Sequence, residues 1–337
     1  MTTPTITART LGSMPALIER ECGERALHQV FAGAGLPLRL IEERDFYIPQ
    51  AALKSFVAGA SDALGSQDIG LLAAPHLSVT DYGSWGDYVL GGATLGEAMN
   101  RALETVYLHA SGDWLALIPR ADDLLFAYRF ADAGGPGYDD VAFVAAAVMR
   151  SIPRSFLGRD WSPDWLALDI AARPQRWLIE HAFGCDVRLG KGCVAFPVSR
   201  DLLLTPRPRR ATCASVTLRD VVRDRRRSPP RTTIELVREL IRLRLGEGRP
   251  DLETVAEALD LGPRTLQRAL ASENMSYRNL ARAVMTERAC ELLALPGMSV
   301  TNVAAEVGYS TPANFARAFA AQTGTSPSLF KSQQSQP

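Results

Sequence analysis

The sequence predicts two folded parts of different class: an α+β domain over residues 1–206 and an all-α domain over residues 232–337 that contains two helix-turn-helix motifs. Three observations support this prediction. Strand and helix periodicities are mixed in the first part, apolar residues keep helical spacing throughout the last hundred residues, and one helical unit occurs twice there. A chain of 337 residues is long enough for two domains with separate cores.

The composition is that of an ordinary globular chain. With 47% hydrophobic and 22% charged residues, it excludes the collagen-like and disordered classes. No apolar run approaches 18 residues, so no membrane span is predicted. The first ten residues contain no apolar signal segment, and we therefore expect a cytoplasmic location. The five cysteines form no CxxC pair, which predicts reduced thiols without a disulfide framework or a zinc knuckle.

The first 206 residues alternate between helical and strand periodicity. Helices are predicted over residues 26–31, 49–64, 94–109, 138–156 and 175–183, and strands over residues 114–118, 124–130, 165–170, 186–189 and 193–197. The segment Leu-Gly-Lys-Gly-Cys at 189–193 is typical of a hairpin turn between the last two strands. The expected result is a mixed α+β domain with small antiparallel elements.

The net charge of zero hides a strong asymmetry along the chain. Residues 1–206 have a net charge of −7, residues 207–231 carry nine arginines and two aspartates, and residues 232–337 are balanced. The middle segment has too little apolar content to form a core, so it is predicted to be an arginine-rich linker, with mild helical character over residues 211–222. Such a charge run favours either a polyanion contact or a solvated linker, and charge alone does not decide between them.

The last hundred residues begin with a helix whose apolar stripe ends at Gly246, and a first helix-turn-helix motif follows. Asp251 is a plausible N-cap of a short helix, a turn passes through Gly262, and Pro263 fits the first position of the next helix. That helix, over 263–272, would bury Leu266 and Leu270 and expose side chains that can hydrogen-bond to base edges or touch a thymine methyl group. The exposed side chains are Arg264, Thr265, Gln267 and Arg268.

A second copy of this unit follows about 48 residues later. Leu266 and Leu270 recur as Phe315 and Phe319, and Thr311 can cap a helix that Pro312 again begins. The exposed positions of the second helix are Ala313, Asn314, Ala316 and Arg317. Between the copies, a helix over residues 277–294 would span about 27 Å. A helix of that length could hold the two exposed helices roughly 34 Å apart, in successive major-groove segments.

This region resembles the double helix-turn-helix domain of AraC/XylS-type transcription regulators. The resemblance covers residues 252–331 and is most specific in the run Gly-Tyr-Ser-Thr-Pro-Ala-Asn-Phe-Ala-Arg-Ala-Phe at 308–319. It implies that the helices at 263–272 and 312–322 are recognition helices. It places Arg264, Gln267, Arg268, Ala313, Asn314 and Arg317 at base-facing positions, with Ser310, Thr311 and Lys331 as weaker candidates for phosphate contact.

Three residues depart from the family pattern. Met285 stands where the family usually has an arginine in the linking helix, and Gly262 replaces the usual serine cap of the first recognition helix. Lys331 takes a place commonly held by arginine. None of these differences removes a base-facing residue.

The first part of the chain resembles the larger sensor domain found in the ornithine-utilisation branch of these regulators, and differs from the short β-barrel arm of the arabinose regulator itself. The resemblance depends on Gly-Ala-Thr-Leu-Gly-Glu-Ala at 92–98 and on the pattern of elements over 113–204. It implies a domain that senses a small-molecule effector and forms a homodimer. The expected function is sequence-specific binding of promoter DNA, with RNA polymerase as a further partner and activation as the outcome.

Other functions remain open at this point. His181, Cys185 and Cys193 could bind a metal or a haem, but their spacing matches no common zinc pattern, so core positions are favoured and no cofactor is expected. No catalytic motif occurs in a suitable context, so an enzyme is not expected. Residues 81–86 and Trp114 could line a small-molecule pocket or belong to a packed turn. The rival functions are an enzyme with a DNA-tethering tail and a DNA-bridging protein without sequence preference.

Overall fold

The structure is a computed structural model that describes residues 3–65, 68–208, 216–224, 229–248 and 250–334. Contacts within the chain define two compact units, one formed by residues 4–229 and one that contains residues 230–337. The helices of the described residues are all too short or too polar to cross a bilayer.

The first unit combines helices with a five-stranded sheet, which confirms the α+β prediction. Its helices are α1 (Met14–Cys22), α2 (Glu24–Gly33), α3 (Gln50–Ala63), α4 (Ile69–Ala73), α5 (Ser84–Leu90), α6 (Leu95–Thr105), α7 (Tyr138–Leu157), α8 (Arg176–Phe183) and α9 (Leu218–Asp224). Its strands are β1 (Thr5–Thr7), β2 (Tyr47–Pro49), β3 (Trp114–Pro119), β4 (Asp123–Arg129), β5 (Trp165–Ala167), β6 (Asp186–Arg188) and β7 (Val194–Ser199). Short 3-10 turns cover Ala8–Leu11 and Val79–Tyr82.

The sheet has the strand order β3-β4-β7-β5-β6. The prediction of a hairpin at residues 189–193 is wrong, because β5 lies between β6 and β7 and pairs with β6 in parallel. The backbone amide of Gly190 donates to the carbonyl of Ile170, and that of Lys191 donates to the carbonyl of Leu168. The turn therefore crosses over the end of β5. A Gly-rich turn in the sequence does not show that a strand from an earlier part of the chain lies between the two strands that it connects.

Helix α7 forms the centre of the first unit. It is 20 residues long, and fourteen of its residues are buried, among them Phe143 and Met149. It packs against α3, α4 and α6 and against strand β7. An apolar helix of this length, buried against strand β7 and three other helices, forms the centre of the main core of the unit.

The segment predicted as a linker contains a docked helix within its described part. Helix α9 packs against α5, and its Val221 is fully buried. The Thr217 hydroxyl accepts from the amide of Asp220, and the Asp220 carboxylate accepts from the amide and hydroxyl of Thr217. This reciprocal arrangement satisfies amides at the start of the helix. Residues 209–215 and 225–228 lie outside the described residues, and so do the first five residues of the helical tendency predicted over 211–222. The last five residues of that span belong to α9.

The second unit is entirely helical in its described residues, as predicted. Its helices are α10 (Thr233–Arg244), α11 (Leu252–Ala258), α12 (Pro263–Ser272), α13 (Tyr277–Leu293), α14 (Val300–Glu306), α15 (Pro312–Thr323) and α16 (Pro327–Gln334). One hydrophobic core joins both helix-turn-helix motifs, and it contains Leu266 and Leu270 from the first together with Phe315 and Phe319 from the second. Helix α13 contacts α10, α14, α15 and α16.

Candidate functional site

Helix α12 presents four polar side chains to solvent. Pro263 occupies its first turn, where the missing N–H leaves no hydrogen bond unmade. Leu266 and Leu270 are fully buried and fix the orientation of the helix on the core. The remaining face is exposed and carries Arg264, Thr265, Gln267 and Arg268. The structure thus brings all four predicted base-facing residues of the first motif together on one accessible surface.

Helix α15 exposes a sparser set. The Thr311 hydroxyl accepts from the amide of Asn314 at 3.2 Å and caps the helix, as the sequence predicts. Ala313, Asn314 and Arg317 are exposed, whereas Phe315 is buried. A guanidinium nitrogen of Arg317 donates to the Asn314 side-chain oxygen at 2.6 Å. This bond places the two polar side chains side by side on the exposed face of α15.

The candidates for phosphate contact are placed differently from one another. Ser310 and Thr311 are exposed beside the start of α15. Lys331 is half-buried on α16, and its ammonium group donates to the carbonyl of Met298 at 2.6 Å. The Lys331 side chain therefore stabilises the loop before α14 in this structure.

Helix α13 connects the two motifs over 17 residues, about 25 Å at the helical rise. Met285 is buried in its middle and contributes to the core, so an apolar residue suits this position. On its outer side, Glu287 accepts from Arg238 of α10 at 2.6 Å, and Glu291 accepts from Arg242. The hydroxyl of Tyr277 donates to the backbone carbonyls of Pro250 and Asp251, which connects α13 to the start of the first motif.

A cavity lies in the first unit between the sheet and the helices. The cavity has a volume of about 60 Å³, within a space of about 670 Å³ that is partly open to solvent. Helix α7, strands β3 and β4 and the turn Val79–Tyr82 form most of its wall. Tyr82, Trp85 and His109 form an aromatic group beside it, with ring centroids of Tyr82 and His109 4.3 Å apart.

The position of this cavity shows which of residues 81–86 and Trp114 line a pocket and which do not. Tyr82 and Trp85 line it, so the segment is both a packed turn and part of the wall. Trp114 remains 40% exposed, and the next residue of β3, Leu115, lines the cavity instead. Alternate residues of a strand face opposite sides of the sheet, so only one of Trp114 and Leu115 can face the cavity.

Some residues that line the cavity were not predicted from the sequence. Thr10 and Met14 belong to a 3-10 turn and to α1, which lacked a clear periodicity. His109 is buried against the cavity, and its identity alone gave no signal of that position. Its ring nitrogens lie 3.1 Å from the Thr7 hydroxyl and 3.5 Å from the Thr10 hydroxyl.

The cysteine and histidine candidates for a metal do not meet. His181 is exposed on α8, and Cys185 and Cys193 are half-buried. Burial raises the pKa of the Cys185 thiol to about 11, so the thiol stays protonated near neutral pH. Among the residues that the structure describes, no three His, Cys, Asp or Glu side chains are grouped as a metal site.

Comparison with known proteins assigns both units. The model of the arabinose-binding domain of AraC transcription regulators matches residues 25–207, more than half of the chain. The chain belongs to the AraC family of transcription regulators. A helix-turn-helix domain model matches residues 255–333, which include α12 and α15. The family predicted from the sequence is therefore confirmed, and this AraC-family protein is a DNA-binding regulator with an N-terminal effector-binding domain.

The sequences of known transcriptional regulators match this chain over most of its length. An uncharacterised HTH-type transcriptional regulator of Mycobacterium tuberculosis is 28% identical over 287 residues, 83% of this chain and 82% of that protein. The HTH-type regulator VirS of the same organism is 24% identical over 88% of each chain. The crystal structure of the transcriptional regulator CdpR from Pseudomonas aeruginosa aligns with 91% of this chain and 97% of its own, with 21% identity and a TM-score of 0.40. The relatives and domains are those of transcription regulators, not of enzymes.

Proposed function

We propose that this regulator recognises its operator through base contacts from α12 and α15, binds as a homodimer, responds to a small molecule in the cavity of its first unit, and activates transcription with RNA polymerase. The observation that supports base recognition is the exposure of Arg264, Gln267 and Arg268 on one face of α12, whose opposite face is fixed in the core. Arginine can donate two hydrogen bonds to guanine, and glutamine can pair similarly with adenine.

The two helices contribute unequally in this proposal. Helix α12 offers four polar side chains, whereas α15 offers Asn314 and Arg317 beside the short side chain of Ala313. Since Asn314 already accepts from Arg317, these two side chains would contact DNA as a pair. Most sequence preference should therefore come from the first motif, with Ser310 and Thr311 adding phosphate contacts that fix the register.

The decisive experiment replaces Arg268 with alanine in the full-length chain. The operator is first obtained by selection from random duplexes, and affinity is then measured by fluorescence anisotropy on that operator and on its single-base variants. We expect Arg268→Ala to weaken operator binding by about 1 to 3 kcal/mol and to relax the preference at one base pair. The preference at other base pairs should be kept.

Arg25→Ala is the matched control, because it removes the same charge from an exposed position of the first unit. It should leave operator affinity and base preference unchanged. If Arg268→Ala instead weakens binding equally on every duplex, the residue neutralises phosphates only. The DNA-bridging alternative would then be favoured.

A further inference from the structure

We propose that the cavity of the first unit binds an uncharged, mainly apolar small molecule about the size of one or two rings, and not a sugar. This inference rests on the proposed role of the cavity as the effector site. It concerns the chemistry of the ligand, which the description of the family model as an arabinose-binding domain would assign to a sugar.

The wall of the cavity carries no lysine, arginine, aspartate or glutamate among its lining residues. Most of the wall is aliphatic or aromatic, for example Leu53, Val144 and Phe126. A carboxylate or ammonium group that entered this space would lose its hydration without gaining a partner of opposite charge. The lining therefore selects against charged ligands.

The few polar side chains of the wall already have protein partners. The Tyr128 hydroxyl donates to Asp113, and the Trp85 indole donates to the Thr105 hydroxyl at 2.8 Å. His109 bonds to threonine hydroxyls on both ring nitrogens. A sugar brings several hydroxyl groups, and each one buried without a partner should weaken binding by roughly ten- to a hundredfold.

The size of the cavity limits the ligand further. The cavity volume is only about 60 Å³. Met14 and Met149 line the wall, and unbranched methionine side chains adapt easily to the shape of a neighbour. A ring compound therefore fits only if the methionine side chains move aside and enlarge the cavity. The aromatic group of Tyr82, Trp85 and His109 offers such a ring a favourable surface.

The test measures binding of four probes to the full-length protein by isothermal titration calorimetry and by thermal unfolding. Phenol and indole represent uncharged apolar rings, benzoate has the same ring with a charge, and L-arabinose is the sugar. We expect indole and phenol to bind and to raise the melting temperature. Benzoate and arabinose should bind at least ten times more weakly than phenol.

Two variants locate the binding. Ala145 lines the cavity on α7, so Ala145→Leu fills part of the space and should weaken indole binding at least tenfold. Val144→Ile adds only one carbon to the same wall and should weaken indole binding less than Ala145→Leu does. Ala32→Leu is the matched control, because Ala32 is exposed on α2. It should bind indole like the unchanged protein.

The possible results distinguish an error in the proposed ligand class from an error in the proposed effector role of the cavity. If arabinose or benzoate binds best and Ala145→Leu abolishes that binding, the proposed class is wrong while the cavity keeps its effector role. If no probe binds, or if Ala145→Leu and Val144→Ile leave the affinity for indole unchanged, the proposed ligand class and the effector role of this cavity are both wrong. Recognition of the operator is tested separately by the Arg268 experiment.

Discussion

Asp140 is a carboxylate held inside the first unit. It is 5% exposed, and its oxygens accept from the amide of Gly70 and the hydroxyl of Ser61, both at 2.8 Å. Burial raises the pKa of Asp140 to about 6, and the two hydrogen bonds lower it only in part. The aspartate therefore titrates in the folded protein at a pH where an unfolded aspartate, with a pKa of about 3.9, is already ionised.

This difference predicts a pH dependence of stability. The folded state binds a proton more tightly than the unfolded state, so the free energy of unfolding should fall as pH rises from about 4 to about 6 and then level off. Two pKa units correspond to a loss of about 3 kcal/mol. Asp140→Asn should remove this contribution, as measured by urea unfolding at a series of pH values. Asp62→Asn, at an exposed position of α3, should keep the original profile, and parallel profiles for all three proteins would contradict the prediction.

At the scale of an element, α12 lacks a side-chain cap. Gly262 precedes it with φ −69° and ψ 146°, a conformation that serine adopts readily, and a Cβ atom there would come no closer than 3.9 Å to a neighbour. Gly262→Ser should therefore raise the free energy of unfolding of the second unit by a few tenths of a kcal/mol. Gly262→Ala adds the same carbon without the hydroxyl and should be less stable than the serine variant in urea unfolding. Equal stability would exclude a capping effect.

Helix α9 (Leu218–Asp224) buries one apolar side chain, in its middle. Val221 is fully buried, whereas the adjacent Val222 is 53% exposed. Val221→Asp would bury an unpaired charge, so the helix should detach from α5. Limited digestion with trypsin should then cut at Arg219 or Arg223 at least ten times faster. Val222→Asp, which makes the same change one position away, should be cut at the original rate, and equal rates for both variants would show that α9 is not held by Val221.

Elements that depend on local signals were predictable from the sequence, and those that depend on distant partners were not. The limits of α12 were predicted to the residue because Pro263 marks its start and the leucine spacing marks its face. Strands β1 and β2 have three residues each and pair Thr5 with Pro49, so neither carries a recognisable pattern alone. The insertion of β5 between β6 and β7 is likewise a tertiary event. The exposed residues of α12 could be predicted, whereas the cavity could not, because its wall gathers side chains from many separate elements.

At the scale of the whole molecule, the chain consists of two units with separate interiors. The second unit has its own core around α13, and the first is built around α7. We expect differential scanning calorimetry to resolve two unfolding transitions. Gly262→Ser should shift one of them by about 2 °C and leave the other in place. A single transition that Gly262→Ser shifts as a whole would contradict independent unfolding.

The unequal polar content of the two exposed helices has a consequence for the promoters themselves. If both helices contact bases as proposed, four side chains on α12 would specify several base pairs, whereas the Asn314–Arg317 pair on α15 would specify one or two. Natural target sites aligned in a common register should then share a conserved half and a variable half. Mutations that accumulate in the variable half would adjust promoter strength in small steps without abolishing control.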